Sequence, residues 1–419
     1  MLTAAALKLN KEQAEAASRL WQSDTRALQI IAGAGSGKTT ALTAAILSAI
    51  EAGYAPERIA ALTFSRRAAH ELRERLKGHA AAPGFCGTIH SLAWRLIREG
   101  GNPPRLIQNA QAKRAEIARG LFAHYAHVPE KILLREDFLS EDELRLLHAA
   151  YNAWLVSANR IDFDGMISRA AAEKSGDGRF DVVFVDEFQD TSPDQFEFIR
   201  SLNAKKYFVV GDDWQSIYRF RGADVALTRD FRKLVPESER LYLVNNYRSG
   251  GNIVKLGNGV IKRSKDFVPK RLKATNPAAD RILCLHTRAE NATAAWQKFR
   301  AALSENQAPS SLQQVMREKV AILVRTNAQR LLLERNKPEN CEILTIHKSK
   351  GLEFDNVLVF GIAEHSMPHR DNDFDEEVRI LYVALTRARK FLGFVAWENG
   401  DSRSVFLPYL MRNSRIVYF

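Results

Sequence analysis

"IIAGAGSGKTTAL", residues 30–42, decides the fold. It begins inside the apolar run "LQIIA" (28–32) and ends in a segment of helical spacing, which places a glycine-rich turn between a strand and a helix. In such a turn, backbone N–H groups cradle phosphates, a lysine reaches the β and γ groups, and a hydroxyl holds Mg²⁺. The candidate ATP cradle is therefore Ala32, Gly33, Ala34, Gly35, Ser36 and Gly37, with Lys38, Thr39 and Thr40 opening the helix. The strict pattern starts with glycine where this chain has Ala32, but the three remaining glycines keep the loop permissive.

Short apolar, β-branched runs recur on both sides of helical stretches. "IAALTF" (59–64), "VVFV" (182–185) and "YFVV" (207–210) form one set with "LQIIA"; "VAILV" (320–324), "ILTI" (343–346), "VLVF" (357–360) and "FLGFVA" (391–396) form another. Runs buried on both faces and separated by helices predict parallel sheets, hence an α/β chain of two units. From 96 to 178 the strand signal disappears and "SEDELRLLHAAYNAWL" (140–155) has helical spacing, so a helical insertion is expected there. The expected division is 1–95 with 179–240, the insertion 96–178, and 241–419. No internal repeat has a fixed period, although two similar α/β units could have diverged beyond recognition.

"FDVVFVDEFQD" carries Asp186 and Glu187 just past a buried strand, where ligands of α/β sheets bind. Two adjacent acids there divide their roles: Asp186 positions Mg²⁺ together with Thr39, and Glu187 activates water. "GDDWQSIYRFRGAD" (211–224) follows "YFVV" and is too polar for a core and too aromatic for an ordinary loop.

The formal net charge is +12, a field that favours polyanions. Cys86, Cys284 and Cys341 have no paired spacing, which suits a reducing cytoplasm and argues against disulfide or cysteine–metal frameworks. No apolar run approaches the roughly 18 residues of a membrane span, and "MLTAAALKLN" lacks a secretion leader, so no membrane partner is expected. His365 and His369 read as a solvated loop, since no other ligands share their spacing.

Further stretches, in order, resemble the UvrD/Rep/PcrA-type DNA helicases of superfamily one. They are "LNKEQAEA" (9–16), "LTFSRRAAHEL" (62–72), "GTIHSLAWRL" (87–96), "VDEFQDTSPDQ" (185–195), "VVGDDWQSIYRFRGA" (209–223), "NNYRS" (245–249), "TIHKSKGLEFDNVLV" (345–359) and "EEVRILYVALTRARK" (376–390). The wording of "GDDWQSIYRF" is most similar to the helicase IV branch.

This resemblance implies two RecA-like P-loop domains, with the helical insertion in the first and the large helical insertion of the second absent. It implies that Gln13 reads adenine, Tyr247 stacks on the base, Glu353 lies near the ribose, and Arg248 and Arg387 reach the γ-phosphate. On pattern alone Tyr247 reads as core, Glu353 as surface, and Arg387 as a cation at a helix C-terminus. The resemblance further implies that Gln215 senses the γ-phosphate, and that Phe64, Thr88, His90, Tyr218, Phe220, Arg221 and His347 face DNA, with Lys350 beside them in a coupling segment. The implied partners are single-stranded DNA and single-strand/duplex junctions, and the implied action is ATP-driven movement 3′ to 5′ by a monomer. Thr40 departs from the arginine that many relatives carry there, and Phe220 from tryptophan.

Overall fold

Apolar runs that end in turn residues build two parallel sheets in the computed structural model, which describes residues 7–418 apart from 78, 80, 81, 102, 136, 137, 278, 279 and 306. Residues 1–6 of the stretch considered as a leader lie outside the described residues.

The first sheet comprises β1 (Ala27–Ala32), β2 (Ile59–Thr63), β3 (Phe85–Thr88), β4 (Val182–Val185), β5 (Lys206–Gly211) and β6 (Ser238–Leu243), in the order β3-β2-β4-β5-β1-β6. The second comprises β7 (Arg281–Arg288), β8 (Val320–Val324), β9 (Cys341–Thr345), β10 (Phe354–Ile362), β11 (Ala388–Glu398) and β12 (Arg415–Tyr418), ordered β9-β8-β10-β11-β7-β12. Counted from its own first strand, each sheet has the same order, so the two RecA-like units repeat in topology where the sequence shows no period. Because every named pair in the two sheets is parallel, the strands of each sheet end on one edge. That edge is where widely separated candidates can meet. The first sheet runs to Leu243, beyond residue 240.

Between β3 and β4 lie the helices Ile89–Glu99, Ala110–Leu121, Glu141–Ser157 and Phe163–Ala172. Ser140 and Glu143 close a capping box at the third of these, satisfying amides the helix start would leave unpaired. Ala115, Ala118, Leu133, Leu139 and Leu147 give this segment a small core. It is not purely helical: Arg105–Leu106 pairs with Arg160–Ile161 in a two-residue ladder. In the second unit a single helix, Asn327–Glu334, lies between β8 and β9.

Trp214 and Ile217 of the first unit share one apolar cluster with Ile253, Tyr382 and Leu385, so the units meet through core and not only through a polar cleft. Among the described residues no helix is long and apolar enough to cross a membrane.

Candidate nucleotide cleft and nucleic-acid track

β1 delivers its last residue, Ala32, to a loop in which Gly35 and Gly37 have φ of +67° and +81°. Side chains other than glycine's rarely adopt such values, which is why a Gly-rich sequence is needed here. Helix α1 (Lys38–Glu51) follows, with Gly37 at its N-cap and no side chain accepting its first amides. Those amides remain available to an anion. The Ser36 hydroxyl is buried with no hydrogen-bond partner among the described residues, a further polar atom suited to a phosphate.

Neighbouring elements fix the loop from two sides. Gln13, set by reciprocal capping with Asn10, donates its Nε2–H to the Ser36 carbonyl at 2.9 Å. Opposite, Asn246 Nδ2 donates to the Ala34 carbonyl at 2.7 Å and the Tyr247 amide to that of Gly35 at 2.9 Å. Leu272 fills the space over Gly33, where an added Cβ would lie 2.1 Å from its Cδ2. Tyr247 is 47% exposed, which corrects the core reading: its backbone holds the loop, and its hydroxyl accepts from Asn10. Thr39 and Thr40 are half-buried on the first turn of α1.

Asp186 immediately follows β4, and Glu187 sits at φ +51°. A non-glycine residue held there stores about 1–3 kcal/mol of strain, tolerable where a side chain must be aimed. Lys38 Nζ lies 3.1 Å from Glu187 Oε2, and Gln189 Nε2 donates to the same oxygen at 2.7 Å. Burial and the neighbouring Glu187 charge push Asp186 well above the usual carboxylate range. Burial opposes ionisation of Glu187 too, but Lys38, Lys350 and the Gln189 hydrogen bond outweigh it and hold Glu187 below its ordinary value. Lys38 is penalised by burial yet raised overall by Glu187, Asp212 and Asp186.

A hydroxyl and carboxylates are the hard oxygen donors that Mg²⁺ takes, so Thr39 and Asp186 fit it. No cluster of three or more His, Cys, Asp or Glu side chains among the described residues could cage a metal alone.

From the second unit, Arg387 reaches this pocket and is only 1% exposed. Its Nε donates to the Val383 carbonyl at 3.0 Å, so the local helix-end reading holds as well. Its Nη2 donates to Gln215 Oε1 at 2.9 Å and its Nη1 to the Leu352 carbonyl at 3.1 Å. Burial and nearby Arg248 pull Arg387 down to about 9; guanidinium holds its proton in proteins, so the direction marks a cation in want of an anion. Arg248 Nε meets Glu353 Oε2 at 2.6 Å, and Arg389 meets the other oxygen. Glu353 is exposed at the surface in this arrangement.

Two groups that the sequence reading did not connect complete the cleft. Lys350 Nζ contacts both carboxylate oxygens of Asp190, at 2.8 and 2.6 Å, and the Gln215 carbonyl at 2.7 Å. Gln189 links the Glu187 carboxylate to the Asp212 amide, which donates to Gln189 Oε1 at 2.9 Å. Both lie inside quoted motifs, but only the fold supplies their partners.

The stretch 211–224 divides in two. Residues 211–217 are buried, whereas Arg219, Phe220 and Arg221 are exposed, so half of it is core after all. Phe64, just after β2, stacks on Tyr218 with centroids 5.0 Å apart and planes at 17°. Tyr218 is followed by Phe220, 67% exposed, which meets His347 of the second unit edge-on at 5.4 Å. Arg221 lies over the Tyr218 and Phe220 rings at 5.4 and 5.6 Å. Five of the expected track residues therefore come together. Thr88 and His90 make other contacts: Thr88, opposite Thr63 in the sheet and so beside the strand end that bears Phe64, caps the helix Ile89–Glu99, and the His90 ring meets Phe163 of the insertion at 5.9 Å.

Burial, with Arg325 and Lys350 nearby, pushes His347 down to about 4. The folded protein then keeps a neutral imidazole while the unfolded chain takes up a proton near pH 6.5, so this stability is complete above that pH and drains away down to about 4. His347→Asn is expected to remove about 1–2 kcal/mol of the stability lost between pH 7 and 5, read by urea unfolding. An unchanged pH slope would refute the shift.

A family model described as an AAA domain matches residues 13–221, and a model of the UvrD-like helicase C-terminal domain matches residues 332–399. The chain is 30% identical to ATP-dependent DNA helicase PcrA of Leuconostoc citreum over 369 residues, 78% of this chain and 48% of that protein. It is 27% identical to DNA helicase IV of Escherichia coli (strain K12), covering 86% of this chain and 65% of the relative. A putative ATP-dependent DNA helicase, YjcD of Bacillus subtilis (strain 168), is 30% identical over 59% of this chain and 38% of its own length. The chain thus spans about half to two thirds of the first two relatives. With one model on each unit and relatives of this kind aligned along most of its length, the chain belongs to the UvrD/Rep/PcrA-like helicase family.

Proposed function

We propose that the chain is an ATP-driven DNA helicase that moves 3′ to 5′ along single-stranded DNA and separates strands at single-strand/duplex junctions. The observation that carries this reading is continuity: residues 211–221 run from the buried cleft, through Gln215, directly into the aromatic track. A binding module with an unrelated ATPase would not need one short stretch to serve both. The 3′ to 5′ direction rests on the family resemblance. A complete cleft within one chain supports action as a monomer, and the three free cysteines suit the cytoplasm.

Lys38 and the loop amides bind the phosphates, and Thr39 and Asp186 would hold Mg²⁺. Bound Mg²⁺ would supply positive charge that offsets that of the phosphates. Gln13 and Tyr247 border the adenine side. Glu187, kept ionised by its two lysine neighbours, accepts the proton of the attacking water. Arg248 and Arg387 stabilise charge on the transferring phosphoryl group, and because they stand on the second unit, closure follows nucleotide state. Movement of the second unit carries His347 and Lys350 against Tyr218 and Phe220, whose faces hold bases.

Phe220→Ala is expected to weaken single-stranded DNA by about 1–3 kcal/mol, roughly 5- to 150-fold, with ATP affinity kept. Fluorescence anisotropy with labelled oligonucleotides measures it, and an unchanged Kd removes Phe220 from the track. The single helix between β8 and β9 favours a second reading, a translocase that displaces proteins while unwinding little, since the resemblance implies a duplex-handling insertion there. ATP turnover with single-stranded DNA, duplex and RNA, beside displacement of 3′- and 5′-tailed duplexes, separates these readings. Turnover that no nucleic acid raises would overturn both.

A further inference from the structure

Lys270 is fully buried together with Asp212 and Asp213 at the end of β5, with Nζ 3.0 Å from Asp212 Oδ1 and 2.6 Å from Asp213 Oδ1. It also lies 4.1 Å from the centroid of the Trp214 ring. The segment bearing it is pinned on every side. Val268 exchanges hydrogen bonds with Asp213 and Trp214, Leu272 covers Gly33, and Lys273–Ala274 pairs with Asn245–Asn246.

Asp212 is a hub. Its amide donates to Gln189 Oε1 at 2.9 Å, and Gln189 in turn donates to Glu187. Its Oδ2 accepts from Gln215 Nε2 at 2.6 Å, while Gln215 Oε1 accepts from Arg387 at 2.9 Å. Three buried charges are a poor stabilising device, because desolvation consumes most of their attraction, but they fix orientation well.

We infer that Lys270 is a positioning residue: by pairing with Asp212 Oδ1 while Asp212 Oδ2 accepts from Gln215 Nε2, it sets the Gln215 amide so that its oxygen faces Arg387 and nucleic-acid occupancy reaches the hydrolytic site. The inference deepens the helicase reading and rests on it. An amide has two orientations of nearly the same shape, and its neighbours choose between them. A carboxylate only accepts, so it draws Nε2–H and leaves Oε1 for the arginine. A protonated carboxyl can donate to Oε1, which turns the NH₂ group towards a guanidinium that also only donates. Without Lys270, two adjacent buried acids would share a proton, as like charges at close range do. The other charged or titratable groups facing them are Lys38, Arg387 and Tyr382.

The test measures DNA-stimulated ATP turnover from pH 6 to 9 for the full chain carrying Lys270→Met or Lys270→Gln, the second retaining hydrogen-bond donors if the first folds poorly. At pH 7 the stimulated kcat is expected to fall about tenfold, with KM for ATP and Kd for an oligothymidylate within about threefold. The loss should recover relative to wild type towards pH 9 as the shared proton leaves. A deficit equal at every pH, unchanged stimulation, or joint loss of ATP and DNA binding in both variants would each overturn the inference. Wild-type turnover that DNA does not raise would overturn it and the functional reading together; stimulated wild type with unaffected variants overturns this inference alone.

Discussion

Glu187→Gln is expected to lower kcat for ATP hydrolysis by about 10²–10⁴-fold while ATP affinity stays within a few fold, the range associated with losing a positioned general base. Glutamine keeps the shape and still accepts hydrogen bonds from Lys38 and Gln189, both of which reach Glu187 Oε2. What it cannot do is take a proton from water. Lys38 and Lys350 hold the carboxylate ionised although it is buried, so it is able to accept that proton, while Asp186 beside it is pushed the opposite way. Single-turnover hydrolysis beside equilibrium binding of a fluorescent ATP analogue separates the two effects. Near-normal turnover would remove Glu187 from its role.

Arg387→Ala is expected to cost about 10³-fold or more in kcat, as for other arginines that meet a transferring phosphoryl group. Lysine should not restore it. The fork of Arg387 makes separate contacts to Val383, Leu352 and Gln215, and one ammonium cannot span them. Truncation also strips Gln215 Oε1 of its partner in a buried setting, so about 1–3 kcal/mol of stability should go with it. Rates at saturating ATP and urea unfolding read the two losses independently. A loss of stability without a loss of turnover would make Arg387 a strut between the units and nothing more.

The central strands were legible because burial on both faces leaves an unbroken apolar run: "VVFV" and "VAILV" coincide with β4 and β8. Three of the four edge strands were not; the fourth, β9, showed through "ILTI". β3, β6 and β12 have mixed burial along their lengths, so "FCGT", "SERLYL" and "RIVY" carry no comparable signal. β7 is internal, yet "RILCLHTR" is charged at both ends and did not stand out. At the cleft, residue types and order were readable, whereas partners were not. Nothing local says that Lys350 finds Asp190, or that Lys270 lies between two aspartates some 57 residues before it. Those contacts exist because parallel strands bring their ends to one edge and the units meet across it. Tyr247 misled for a related reason: an aromatic beside a strand-like "NNY" suggests core, but its backbone is spent on Gly35 and its ring stays in the cleft mouth.

The most direct test of coupling between cleft and track is Gln215→Ala. Gln215 touches Asp212 on its own unit, Arg387 and Lys350 on the other, and is three residues from Tyr218. ATP turnover is measured with and without saturating oligothymidylate, beside DNA affinity. The expected result is retained DNA binding and retained unstimulated turnover with stimulation reduced about tenfold or more. Full stimulation in the variant would contradict the coupling, because the cleft would then sense the strand without the residue that joins them.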